Sequence, residues 1–205
     1  MSAQAAVVLC GGRSSRLGGG DKPLLDLAGR PLLAHILAKM AAEQVESAIN
    51  ANGDPARFAI FGLPVVADAT TTFDGPLAGL LAAMRWAKSR NAARVLTIAG
   101  DTPFFPARLI ERLNGPAADD MVTVAACGRR VHPTFASWPL SLTQDLSQQL
   151  DAGTRRLTDF IARHPSIAVD FPPIQAGDEE IDPFFNINTP ADLAEARRIA
   201  EKLGP

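Results

Sequence analysis

The 205-residue chain reads as an α/β protein: a Rossmann-like, three-layer arrangement of a mostly parallel sheet with an antiparallel addition and helices on both faces. Three observations predict this class. Short valine-rich runs are apolar throughout rather than alternating, as strands buried on both faces must be. Helical stripes with apolar residues at i, i+3, i+4 and i+7 follow those runs in turn. Glycine or proline marks most of the junctions.

Ala5 to Cys10 is the first buried strand, bounded by glycine. Arg30-Pro31 then opens a helix, since proline is tolerated at the first helical position, and Leu33, Ile36, Leu37 and Met40 form its stripe. Val45 to Asn50 and Pro64 to Ala67 are strand-like; Leu77, Leu80, Leu81 and Met84 give a second helix after Gly75-Pro76. Val95 to Ala99 is another buried strand that stops at Gly100-Asp101. From Met121 the runs MVTVAAC and VHPTFASW resemble two strands of a hairpin, the antiparallel addition. Helical segments near Leu140 to Leu150 and Arg155 to Arg163 follow. The last helix starts at Thr189 as N-cap with Pro190 behind it, and its apolar face is Leu193, Ala196, Ala200 and Leu203. GPAADD near Gly115 and PPIQAGDEE near Pro172 read as surface loops. No linker or repeat divides the chain, so residues 1–205 are expected to form one domain.

With 47% hydrophobic and 20% charged residues the chain suits a soluble protein with a sizeable core. A formal net charge of −2 argues against a global footprint for nucleic acid or an anionic membrane, so any anion site must be local. Cys10 and Cys127 form neither a disulfide framework nor a CxxC pattern, and three dispersed histidines suggest no zinc site. The first ten residues lack a signal-peptide pattern and no run approaches the ~18 apolar residues of a spanning helix. A cytoplasmic protein with free thiols is expected.

The chemistry-bearing stretch is VVLCGGRSSRLGGGDKPLL, Val7 to Leu25. The loop after the first strand of a parallel sheet is the usual phosphate cradle, because ligands bind beyond the carboxyl ends of the strands. Its glycines let backbone N–H groups turn inward on an anion, and Arg13, Arg16 and Lys22 add charge. It is not a Walker A loop, since Lys22 follows Asp21 rather than glycine, and not a dinucleotide fingerprint, which would need glycine at Pro23. Asp101, just past a buried strand, faces the same crevice; a carboxylate there suits Mg²⁺, which takes one or two protein carboxylates plus phosphate and water, although Asp101-Thr102-Pro103 also reads as an ordinary turn.

LCGGRSSRLGGGDKPLL resembles the signature of the nucleotidyltransferases that join a nucleotide to molybdopterin, in particular the molybdenum cofactor guanylyltransferases. VVAD at Val65, GPLAGL at Gly75, GDTPFFP at Gly100, HPTFASW at His132, GTRRL at Gly153 and FFNINTPADL at Phe184 resemble segments of that family in its order. The resemblance implies nucleotide contacts from Leu9, Cys10, Gly11, Gly12, Lys22, Asn50, Asp68 and Asp101, catalytic roles for Arg16, Lys22 and Asp101, and Mg²⁺ on Asp101. It puts Asn186 and Asn188 on molybdopterin, so that the N-terminal half would bind nucleotide and the C-terminal half molybdopterin. Cys10 and Leu17 replace the family's usual alanine and methionine, both apolar exchanges expected to do little harm. Gly11, where cytidylyl relatives tend to carry alanine, favours guanine.

The implied reaction is attack by the terminal phosphate of molybdopterin on the α-phosphorus of GTP with loss of pyrophosphate. That phosphate is already largely ionised near pH 7, so no general base is needed. What remains is bringing two anions together and neutralising charge, the work of Mg²⁺, Lys22 and Arg16. Asn186 and Asn188 alternate with Phe185 and Ile187, which predicts a short strand with both amides on one side. Arg155 and Arg156 could add charge there. His35 reads as a packed or surface residue, His164 as a cap, and His132 as either strand structure or part of the site. The resemblance also implies transient contact with molybdenum-insertion proteins, or with acceptor molybdoenzymes and their chaperones; monomer is the default state. The alternatives are a molybdopterin cytidylyltransferase, a sugar-phosphate nucleotidyltransferase of the same fold, and a non-catalytic nucleotide-binding module.

Overall fold

The computed structural model describes residues 3–11, 21–68, 75–115 and 120–204, so the expectations for residues 12–20 of the glycine loop and for the loop at 116–119 lie outside it. The chain begins with β1 (Ala3–Leu9), a two-residue ladder of β2 (Asp26–Leu27) and β3 (Arg30–Pro31), and α1 (Leu32–Ala42). Then come β4 (Glu46–Asn50), a 3-10 stretch at Pro55–Phe61, β5 (Val65–Val66), α2 (Pro76–Ser89) and β6 (Ala92–Ala99). The second half runs α3 (Leu109–Asn114), β7 (Val122–Cys127), β8 (Arg130–Pro139), α4 (Thr143–Asp151), α5 (Leu157–Ile161) and β9 (Ser166–Asp170). It ends with β10 (Ile174–Ala176), β11 (Glu179–Ile181) and α6 (Pro190–Leu203).

Seven strands form one sheet in the order β5-β4-β1-β6-β8-β7-β9. Every pairing in it is parallel except those of β8 with β6 and with β7, so the antiparallel addition is one reversed strand inside a parallel sheet. Both faces are covered. Along β1 the fully buried Ala5 and Val7 join one core while Ala6 and Val8 join the other, the period-2 geometry of a strand between two layers. On the first face lie Leu77, Leu80 and Met84 of α2 with Leu146 of α4 and Phe160 of α5; on the second lie Leu33, Ile36 and Met40 of α1 with Phe105, Phe135 and Phe184. A third cluster packs α6 through Ala196 and Ile199 against Leu27, Leu32, Phe104 and Ile187.

Several local expectations shift. Pro31 is the N-cap rather than the first residue of α1, because Arg30–Pro31 is drawn into the ladder with Asp26–Leu27. PPIQAGDEE holds a hairpin, β10–β11, instead of a plain loop; Gly177 makes its turn at φ +65°, and Glu179 accepts hydrogen bonds from Arg198 and Lys202 of α6. The helix expected over Arg155 to Arg163 shortens to Leu157–Ile161. On α6 the buried seam runs through Ile199, while Leu203 is exposed. His164 does not cap; its Nε2 lies 3.1 Å from an Asp145 carboxylate oxygen and its ring stands edge-on to Phe160. His35, expected to be packed or on the surface, is half-buried, with Nε2 2.8 Å from the Leu27 carbonyl. Both cysteines are free. Among the described residues no helix is long and apolar enough to cross a membrane.

Gly79 shows how tightly α2 sits on the sheet. A Cβ there would lie 2.5 Å from Asn50 Oδ1 and 3.3 Å from the Leu9 side chain. Asn50 is buried and its amide is tied to the Val66 carbonyl and to Asp68, so it cannot swing aside freely. Alanine would add about 1 kcal/mol of helix propensity, but overpacking costs about 1–3 kcal/mol. Gly79→Ala is therefore expected to lower the melting temperature by a few degrees, at about 2–4 °C per kcal/mol for a chain of this size. Thermal unfolding followed by circular dichroism checks this; a higher melting point would contradict it.

Candidate active site

The parallel ladders fix which strand ends are level. Leu9 pairs with Asn50 and with Ala99, and Asn50 pairs with Val66, so four residues from distant parts of the chain form one row at the carboxyl edge. Two residues past each member of that row stand Gly11, Asn52, Asp68 and Asp101. A cleft of about 130 Å³ opens over three of these, Gly11, Asp68 and Asp101, and is lined as well by Leu9, Asn50, Thr134 and Asn186.

At one end the amides bracket a carboxylate. Asn50 donates to Asp68 Oδ1 at 2.9 Å; Asn52 donates to Asp68 Oδ2 at 2.7 Å and accepts from the Asp68 backbone N–H at 2.8 Å. A Cβ on Gly11 would sit 3.5 Å from Asn50 Oδ1 and 4.0 Å from both Asn52 Nδ2 and Asp68 Oδ2, ordinary contact distances, so glycine there leaves space over the cluster that the chain itself does not require. Behind Asn52, Arg57 donates to its carbonyl and pairs with Asp21 at 3.1 Å.

At the other end Lys22 Nζ lies 3.0 Å from Asp101 Oδ2 and donates to Asn188 Oδ1 at 2.8 Å. Thr102 Oγ1 stands 3.1 Å from Asp101 Oδ1 and 3.0 Å from Asn186 Oδ1. The Ile187 N–H donates to the Asp101 carbonyl at 3.0 Å, fastening the asparagine segment to the end of β6. Lys22 and Asp101 keep about one fifth of their side chains exposed, so ligand can reach them. Asn186 and Asn188 converge as expected but on no strand: residues 183–188 form an irregular strap, closed by a capping box in which Thr189 and Asp192 exchange hydrogen bonds. Asp192 also accepts from the Asn188 N–H at 2.8 Å, and these bonds hold its carboxyl below the usual carboxylate range.

Of the first-loop residues, Gly12 and Arg16 lie outside the described residues. The Leu9 carbonyl accepts from Gly100 N–H at 3.0 Å and Cys10 N–H donates to the Asn50 carbonyl at 2.8 Å, so these two backbone groups knit the strand ends together. A Cβ at Gly100 would meet Cys10 Sγ at 2.8 Å, which explains glycine beside this thiol. Burial, with Asp101 and Asp21 adding to it, pushes the Cys10 thiol far above its ordinary pKa, so it stays protonated and is a packing group rather than a nucleophile. Arg155 donates to the Leu150 and Thr154 carbonyls and, with Arg156 and Arg163, lines a shallow cleft of about 510 Å³; the Arg155 carbonyl adjoins Gly75, which lines the central cleft.

Sequence reading missed Asn52, Thr102 and Gly79. Asn52 carried a signal, since it follows its strand end by the same two residues as Asp68 and Asp101. Among the described residues no group of three or more His, Cys, Asp or Glu side chains could by itself hold a metal ion. Asp101 nonetheless suits a hard divalent cation: it is an oxygen donor at the crevice, one fifth exposed, whose Oδ1 faces away from the Lys22 contact on Oδ2 and that would share the ion with ligand oxygens.

A family model described as MobA-like NTP transferase domain matches residues 6–167. A protein of Rhodopseudomonas palustris (strain BisB5) named molybdenum cofactor guanylyltransferase is 48% identical over 203 residues, 97% of this chain and 94% of the relative. One of the same name from Mesorhizobium japonicum is 45% identical over 203 residues, 97% of each chain. Among solved structures, molybdopterin-guanine dinucleotide biosynthesis protein A from Archaeoglobus fulgidus shares the fold, with a TM-score of 0.74 at 23% identity over 97% of this chain and 99% of that one. The chain belongs to the MobA-like NTP transferase family.

Proposed function

We propose that the chain is a molybdenum cofactor guanylyltransferase, transferring GMP from GTP to the terminal phosphate of molybdopterin. The observation that carries this reading beyond the family is the placement of Lys22, whose ammonium bridges the carboxylate at the end of β6 and the asparagine strap. One side of that bridge belongs to the nucleotide half and the other to the acceptor half, so a single positive charge stands where two anions must meet.

In this reading GTP lies along the row of strand ends, its base over Gly11 and Asp68 and its triphosphate toward Lys22 and Asp101. Asn186 and Asn188 orient molybdopterin from the strap. An oxygen of its ionised phosphate attacks the α-phosphorus, the new P–O bond forms, and the bond to the bridging oxygen of pyrophosphate breaks. Lys22 neutralises charge gathering on the α-phosphoryl group, the electrostatic term that dominates phosphoryl transfer. Arg16 adds charge from the loop. Asp101 would hold Mg²⁺, which when bound supplies charge neutralisation on the departing pyrophosphate. We place the enzyme in the cytoplasm, as a single-domain monomer that passes its product to acceptor molybdoenzymes or their chaperones.

Purified protein with molybdopterin and Mg²⁺ is expected to release pyrophosphate and form the guanine dinucleotide with GTP; product with CTP alone would overturn the base assignment. Lys22→Ala should lower kcat by about 100–1000-fold with an unchanged melting temperature, and near-normal turnover would remove Lys22 from the reaction. Gly11→Ala should keep its stability, since its Cβ meets only ordinary contacts, while the ratio of GTP to CTP turnover falls. An unchanged ratio would show that Gly11 does not set base choice.

A further inference from the structure

His132 of β8 is a buried polar group that the reaction leaves unused. Its residue is 6% exposed and its Nε2 has no hydrogen-bond partner. A buried nitrogen left unsatisfied is a cost that a phenylalanine or leucine in the same space would not carry. Its surroundings lead directly to the acceptor side of the site. The imidazole lies on the Phe184 ring, centroids 4.5 Å apart and planes 32° from parallel, and Phe184 is itself wedged against Phe135 and Phe171. Phe184 is the buried anchor of the strap: two residues on, Asn186 meets Thr102, and two further, Asn188 meets Lys22.

The nitrogen faces Asp182, at the start of the strap. Asp182 Oδ1 accepts the Phe184 N–H at 2.8 Å, while Oδ2 lies 3.6 Å from both His132 Nε2 and an Arg130 guanidinium nitrogen. Other ionisable groups near this corner are Cys127, which closes β7, and Asp170, which ends β9. Burial holds the imidazole below its ordinary pKa against the pull of Asp182, so the ring is neutral near pH 7.5.

We propose that His132 is a positioning residue for the acceptor: by seating Phe184 and facing Asp182 it fixes the strap that presents Asn186 and Asn188. This rests on the guanylyltransferase reading above. The neutral ring leaves Asp182 Oδ1 to the Phe184 N–H. Because burial lowers its pKa, the folded ring stays neutral to a lower pH than a free imidazole, and the stability this contributes is full above about pH 6.5 and is lost as pH falls through the lowered pKa.

The test compares wild type, His132→Ala and His132→Phe. Loss of the ring in His132→Ala should raise the KM for molybdopterin about tenfold, the scale of one lost positioning contact, with the KM for GTP within about twofold. His132→Phe keeps a ring but no nitrogen; it should match wild type in molybdopterin KM at pH 7.5, so that an aromatic ring on Phe184 rescues what His132→Ala loses. A readout independent of turnover is hydrogen exchange, in which the Phe184 and Ile187 amides should lose protection in His132→Ala. An equal rise in both KM values, unchanged protection, or a molybdopterin KM in His132→Phe raised as far as in His132→Ala would overturn the proposal. Absence of dinucleotide from wild type would instead overturn the activity reading, and the exchange result would still judge the role of His132.

Discussion

Hydrogen bonding in a parallel ladder decides which residues end level, and here it sets Leu9, Asn50, Val66 and Ala99 in one row. The site depends on that alignment. Because β5, β4, β1 and β6 all run the same way, the residues two positions past their ends gather at one edge: Gly11, Asp68 and Asp101 line the cleft and Asn52 holds Asp68. A one-residue slip in any of these pairings would turn the corresponding side chain to the opposite face of the sheet. β1 is apolar on both faces, so pattern alone would not oppose such a slip; the fitted packing of each side chain into the two cores that sandwich the strand does.

Polar groups at this edge satisfy one another without using all of their acceptors. Asp68 is held by two amides, Asp101 by a hydroxyl and an ammonium, and each retains acceptor capacity toward the cleft. Lys22 ties distant stretches of the chain together: it follows the glycine loop in sequence, yet its partners are Asp101, two residues past β6, and Asn188 of the strap near the C-terminus. Close approach makes particular glycines necessary. Gly79 gives way to the Asn50 amide and Gly100 to the Cys10 thiol, so the departure from the usual alanine at position 10 is absorbed by the packing of β1 against the end of β6.

The sheet's class and order of elements were legible in the sequence because strands buried on both faces are continuously apolar and helices carry the longer period. The single reversed strand followed from the hairpin pattern at Met121 to Trp138. Legibility failed where tertiary contacts override local pattern. The alternation of FFNIN suggests a strand, but Phe184 is claimed by the core on one side and Ile187 by the Asp101 carbonyl, and the segment becomes a strap. The acidic run at Glu179 takes strand form because Arg198 and Lys202 of α6 neutralise it. For the site, Lys22, Asn50, Asp68, Asp101, Asn186 and Asn188 were readable through family resemblance. Asn52 and Thr102 were not, because each acts through a neighbour: Asn52 lies outside the matching segments, and Thr102 lies within GDTPFFP but its hydroxyl acts on Asp101 and Asn186.

The most direct measurement is a crystal structure with a non-hydrolysable GTP analogue and Mg²⁺. The account predicts the nucleotide lying along the row of strand ends, with the base over Gly11 and Asp68 and a phosphate oxygen ~3 Å from Lys22 Nζ. A nucleotide bound elsewhere, or with its triphosphate against Asp68 and its base against Lys22, would contradict it.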